Sequence, residues 1–162
     1  MSTSITSAKV PTWVRLGLVA LGVPNVAAGA WAVLSPQGWF DGFPGWDPRL
    51  AAAEPPYNAH FVTDAGAGIL ASGVVLLLAA WLSDARSVRL AVGAFAAFAV
   101  PHAAYHAANP SPLLTGAEDV QNVVTLVFSV VAAAALLIGT RAHRSGGTAA
   151  SSSKSTDRVV TA

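Results

Sequence analysis

Cysteine is absent from the 162 residues, which excludes disulfides, thiolate-ligated zinc, iron–sulfur clusters and a thiol nucleophile. Any metal would have to be held by nitrogen and oxygen ligands. Methionine occurs once, as Met1, which removes a thioether-rich route to Cu(I). Charge is scarce too: 10% of the residues are charged, against about 25% in an ordinary soluble domain. A net charge of +1 offers no basic surface, so no nucleic-acid partner is expected. Three catalytic signatures are missing from the sequence: the His-Glu-x-x-His zinc motif, the Glu-x-x-His pairs of di-iron bundles, and the Gly-x-Ser-x-Gly elbow of a serine nucleophile.

What is present is apolar. Hydrophobic residues make up 54% of the chain, a composition that predicts a lipid bilayer as the surrounding medium, and the length suits one domain. Four apolar runs, near 13–34, 58–82, 87–108 and 117–140, each reach the roughly 20 residues that cross about 30 Å of hydrocarbon. The first also resembles a signal peptide, with Lys9 and Arg15, an apolar stretch over 16–23, Pro24, and then Ala28-Gly29-Ala30. Its apolar character continues through Trp31, Val33 and Leu34, which a cleavage region does not need. Pro24 predicts a kink by clashing with the Ala20 carbonyl. Asn25, next to Pro24, is placed to satisfy the freed backbone or a neighbouring helix.

The connections carry the remaining signals. Residues 35–56 hold five of the ten prolines together with Trp39, Phe40, Phe43 and Trp46, a long loop expected to anchor in the membrane interface or to cover a site. Gly66, Gly68, Ala71, Ser72 and Gly73 allow a neighbouring backbone to come close to the second span. Ser83-Asp84-Ala85-Arg86 predicts a tight turn, and Asn109-Pro110 a stop for the third span. Thr115-Gly116-Ala117-Glu118 has the spacing of a capping box that opens the fourth. The tail 145–162 is rich in Gly, Ser and Thr and is expected to be disordered.

Lys9, Arg15, Arg86, Arg89, Arg141, Arg144, Lys154 and Arg158 fall at the termini and the second connection, and Arg49 alone lies elsewhere. The positive-inside rule then predicts cytoplasmic termini, with residues 1–12 and 145–162 as cytoplasmic tails, in the cell (inner) membrane. The expected fold is all-α, an antiparallel four-helix transmembrane bundle over 13–140 with the Pro/Trp-rich loop outside.

Polar residues within such helices mark functional candidates. At 1.5 Å per residue, His60, His106, Glu118 and Asp119 fall near the outer surface, and Asp64, His102 and Asn122 one turn deeper. The pairs His60/Asp64, His102/His106 and Glu118/Asn122 are each four apart and so share a helix face. Imidazoles and carboxylates suit Zn, Fe, Mn or Cu(II), so His60, Asp64, His102 and His106 form a candidate metal set. Tyr105, Glu118, Asp119 and Asn122 would support it or supply alternative ligands. Asp64 and His102 are expected to face each other. Haem held by His60 against His102 or His106 is less favoured, because close helix packing leaves little room for it. The alternatives are that these groups merely satisfy one another, that they form a proton-linked or small-ligand site, or that the chain is an accessory subunit docking a membrane-protein partner or a second copy of itself.

Three motifs, Asn58-x-His60-Phe61-x-x-Asp64-x-Gly66, Pro101-His102-x-x-Tyr105-His106 and Asp119-x-x-Asn122, resemble small actinobacterial four-helix integral membrane proteins, in an arrangement similar to that of the DoxX-like group. The resemblance spans about 13–140. It implies a membrane subunit of an oxidoreductase complex handling sulfur compounds or quinones, although the cysteines used in some of that sulfur chemistry are absent here.

Overall fold

The computed structural model describes residues 9–156, with side chains over 9–140. It is all-helical, with no strand among the described residues. The elements are α1 (Thr12–Leu34), α2 (Pro36–Gly42), α3 (Ala59–Leu82), α4 (Ala85–Ala108) and α5 (Gly116–Thr156). Four of them, with α5 counted over Gly116–Thr140, are long and apolar enough to cross a membrane. Such a chain is a multi-pass membrane protein, since only helices and closed barrels satisfy every backbone polar group inside lipid.

The helix limits follow from local chemistry. Asn58 caps α3, its side-chain oxygen accepting from the His60 and Phe61 amides at 3.0 and 3.2 Å. Asp84 caps α4 by accepting from the Arg86 and Ser87 amides, both at 3.0 Å. Between these helices lie Ser83 and Asp84 alone, and Ser83 adopts the left-handed conformation at φ 60°. Its hydroxyl donates to Ala80 O at 2.7 Å, tying off a carbonyl that the ending helix leaves open. The capping box at α5 forms as its spacing predicts: the Thr115 amide donates to Glu118 Oε2 at 2.8 Å, and the Glu118 amide to Thr115 Oγ1 at 3.4 Å.

Three expectations need correction. Residues 35–56 are not one irregular loop, because Pro36, suited to a first helical turn, opens the seven-residue α2. Trp39 packs at a tilt against Phe43, and Phe40 against Tyr57 just beyond this segment, at ring separations of 4.9 and 5.2 Å. The fourth span covers Gly116–Thr140 as expected, but α5 itself continues to Thr156, into the tail expected to be disordered from 145, as extending an established helix is far easier than nucleating one. The end of the tail, 157–162, lies outside the described residues. Asn25 also differs from expectation. It bonds neither Ala20 O nor another helix, donating instead to Leu21 O at 2.8 Å while α1 runs on through Pro24.

α1 and α3 form the most extensive helix contact, followed by α4 with α5. Glycines seven residues apart on each helix set the first pair together. A Cβ added at Gly73 would lie 2.6 Å from Val26 N, and one at Gly66 would lie 2.6 Å from Ala32 Cβ. One added at Gly29 would meet Leu70 N, and Gly66 O at 2.7 Å. Gly22 meets Gly73 O and Leu77 in the same way. Gly68, expected to share this role, has open space beside it, because it lies on another face of α3.

Residues just before α1 meet residues just after α3: the Val10 amide donates to Ser83 O at 2.8 Å, and the backbones of Lys9 and Asp84 form an isolated antiparallel bridge. At this end α5 joins through Leu136 against Gly17 and through Gly139 against Trp13 and Val14. The apolar core gathers here, with Val14, Leu18, Leu76, Val88, Val92 and Phe95 among its members. Toward the opposite end, no residue of α5 before Ala133 is buried. The polar candidates lie at that opposite end.

Candidate functional site

α4 turns Val88, Val92, Phe95, Ala99 and Ala103 inward, a row spaced by three and four residues. His102 and His106 lie beside that row and are half-buried. Their rings meet edge to face at 4.9 Å, and Phe98 stacks on His102 at 5.3 Å. His106 Nδ1 stands 3.8 Å from Glu54 Oε1, and the His106 side chain is only 17% exposed. Tyr105 presents its ring edge to His106 at 5.6 Å but is itself exposed.

Glu54 comes from the connection between α2 and α3, held in place one residue earlier. The buried Ser111 hydroxyl, in the α4–α5 connection, donates to Ala53 O at 2.6 Å. The Ser111 amide in turn donates to Asp119 Oδ1 at 3.2 Å. Ala53 also lines a shallow cleft of about 360 Å³ whose rim carries Asp47, Arg49, Leu113, Leu114 and Glu118. One short segment thus faces two ways, Ala53 to the cleft and Glu54 to His106. Arg49 is oriented by Asp47 at 3.0 Å and by Gly42 O at 3.0 Å.

The other candidates divide. Glu118 is engaged in the capping box and Asp119 in holding Ser111, so both have structural duties. Asn122 is half-buried, three residues after Asp119 and so on the same face of α5. His60 Nε2 pairs with Asp64 Oδ2 at 3.4 Å on their own helix, and both side chains stay exposed, at 77% and 65%. They belong to the row 60, 64, 67, 68, 71, 75 and 78, which is exposed throughout.

The expected meeting of Asp64 and His102 is therefore not formed as an ion pair, and His60, Asp64, His102 and His106 do not assemble as one set. Among the described residues no three His, Asp or Glu side chains form a group that could hold a metal ion. The physical reason lies in the phase of α3. Gly66 and Gly73 turn onto α1, which carries His60 and Asp64 to the exposed side.

Glu54 and Ser111 were not among the sequence candidates. Their one sequence signal is the neighbouring proline, in Glu54-Pro55-Pro56 and Pro110-Ser111-Pro112, which restricts the backbone on either side. Nothing local says that the two connections meet. Comparisons of the chain with known protein families, with curated proteins and with solved structures found no match.

Proposed function

We propose that this chain is a small-ligand binding module of the cell membrane, an antiparallel four-helix transmembrane bundle that receives its ligand at the extracytoplasmic end. The positions of Lys9, Arg15, Arg86 and Arg89, brought to one end by the Lys9–Asp84 bridge and the α3–α4 turn, support cytoplasmic termini under the positive-inside rule. That leaves α2, the Pro/Trp segment and the 109–115 connection outside.

The observation that carries the reading is the contact of His106 with Glu54, under a connection that Ser111 pins. A half-buried imidazole beside a carboxylate offers a donor and an acceptor that a small polar molecule can take over, and His102 adds a second imidazole 4.9 Å away. Among the described residues no three His, Asp or Glu side chains form a group that could hold a metal ion, which supports an organic ligand over a metal. A ligand entering from the cleft would displace the Ala53–Glu54 segment and so report its arrival to α4.

The test is thermal stabilisation of the full chain in detergent, against a panel of small organic acids, amines and quinones and against Zn²⁺, Mn²⁺ and Cu²⁺. Stabilisation by an organic ligand that is lost in both H106Q and E54Q supports the proposal. Stoichiometric metal that stabilises the protein and is lost in H102A and H106A would replace it with the metal reading.

One observation favours a second reading, that of an accessory subunit. Gly68 on α3 and Gly93 on α4 both face open space, and small residues with no neighbour are where another transmembrane helix packs closely. A defined membrane protein that copurifies with the wild type and is lost in G68L and G93L would establish it.

A further inference from the structure

We infer that the end of the molecule carrying the apolar core also holds a specific site for one anionic phospholipid, in the groove between α1 and α3 headed by Arg15. The groove encloses about 380 Å³ and is lined by Thr12, Arg15, Leu16, Val19, Leu77 and Trp81. That volume falls in the range of small-molecule clefts, roughly 300–1,000 Å³.

Its chemistry is divided along its length. Leu16, Val19 and Trp81 are exposed large apolar side chains, at 64%, 41% and 76%, and Leu77 lies between the two helices beside Gly22. This is the surface of an acyl chain site, on helices that cross lipid. Arg15 stands at the head. Its Nε donates to Ala80 O at 3.2 Å, where Ala80 already accepts from the Ser83 hydroxyl. One edge of the guanidinium is thereby anchored against the end of α3, and the two terminal nitrogens are left to meet a phosphodiester as a fixed fork. Thr12 adds a hydroxyl at the start of α1, whose first turn has no side-chain cap.

Charge selects the headgroup. The end of the molecule that holds Arg15 also carries Lys9, Arg86 and Arg89, and Asp84, the acidic residue there, is engaged with the Ser87 hydroxyl and two amides. A zwitterionic lipid would place a second positive charge among these; an anionic lipid would not. Trp81 and Trp13 lie at the same level, where indoles favour the headgroup boundary. The site rests on the bilayer placement but not on the ligand site at the opposite end.

Native mass spectrometry of the full chain in detergent, titrated with dioleoyl phosphatidylglycerol or dioleoyl phosphatidylcholine, tests it. The wild type should retain one phosphatidylglycerol, preferred over phosphatidylcholine about fivefold or more, the worth of one Arg near an anionic surface. R15Q should lose that preference, and R86Q, which removes only a charge near the groove, should lower it far less. V19W, on the exposed rim, should remove the bound lipid while leaving Arg15 intact, and it carries the test if R15Q does not fold. Equal retention of the two lipids, a preference unchanged in R15Q and V19W, or an equal loss in R86Q would each overturn the site. A chain that fractionates away from membranes would instead overturn the bilayer placement itself.

Discussion

The two ends of this molecule are built on different principles. At the end where α1 begins, four helices converge on apolar side chains: Val14, Leu18, Leu76, Val88 and Val92 are fully buried. At the other end, order comes from polar contacts that tie the connections to one another and to helix ends, Ser111 to Ala53, Asp119 to Ser111, and His106 to Glu54. The first end resembles a protein interior and resists change in volume. The second is held by a few polar contacts, each worth little alone.

The largest effect should follow from removing volume at the packed end. L76A is expected to lower stability in detergent by about 2–5 kcal/mol, the usual range for a buried leucine. L113A, at the polar end and 62% exposed, should change it by less than about 0.5 kcal/mol. Equal losses in the two variants, measured by denaturant titration, would erase the contrast.

Adding volume sharpens it next. G29A places a methyl group against the Leu70 amide and the Gly66 carbonyl, so the α1 and α3 backbones must separate. A cost of about 1–3 kcal/mol is expected, as for overpacked cores. G68A meets nothing within 4 Å, and the better helix propensity of alanine should stabilise by up to about 1 kcal/mol. Opposite signs from two Gly→Ala changes on packed and open helix faces are the readout.

Asp84 links the packed end to pH. Its carboxyl is held below the ordinary value of 3.8 by the Ser87 hydroxyl first, then by the Ser87 and Arg86 amides. A carboxyl lowered on folding contributes stability that is fully present above about 3.8 and is lost as pH falls through its folded value. D84A should cost about 1 kcal/mol at neutral pH through the lost cap. D84N keeps a capping oxygen, so its thermal midpoint should match the wild type near pH 6 and fall less steeply below pH about 4. A D84N curve parallel to the wild type would show that the acid sensitivity arises elsewhere.

The smallest effect belongs to the polar end. E54Q removes the charge facing His106 and should cost less than about 1 kcal/mol, as expected for a partly exposed pair. It should nevertheless raise amide exchange around Ala53, with little change at Leu76. Uniform exchange changes across both ends would mean that the two are one cooperative unit.

How much of this was legible in the sequence depended on how local each cause was. The existence and extent of four long apolar helices are functions of composition along the chain, and expected runs such as 58–82 and 87–108 stand against helices Ala59–Leu82 and Ala85–Ala108. The Thr115–Glu118 capping box and the tight turn within Ser83-Asp84-Ala85-Arg86 were readable for the same reason, since each is closed by residues within four positions. The phase of α3 was not. A helix that is apolar all round gives no preferred inward face, so the shared spacing of His60/Asp64 and His102/His106 could not say whether the pairs face each other.

The amino-acid sequence by itself determined that the chain is helical, rich in membrane-crossing segments, and without the thiols or motifs for several chemistries. Only the tertiary structure decided which polar groups meet. Gly22 and Gly29 against Gly66 and Gly73 rotate α3 so that His60 and Asp64 point away, while Ser111 and Ala53, 58 positions apart, bring Glu54 to His106. Such contacts depend on helix rotation and on how two distant connections pack, and neither quantity is carried by any short stretch of residues.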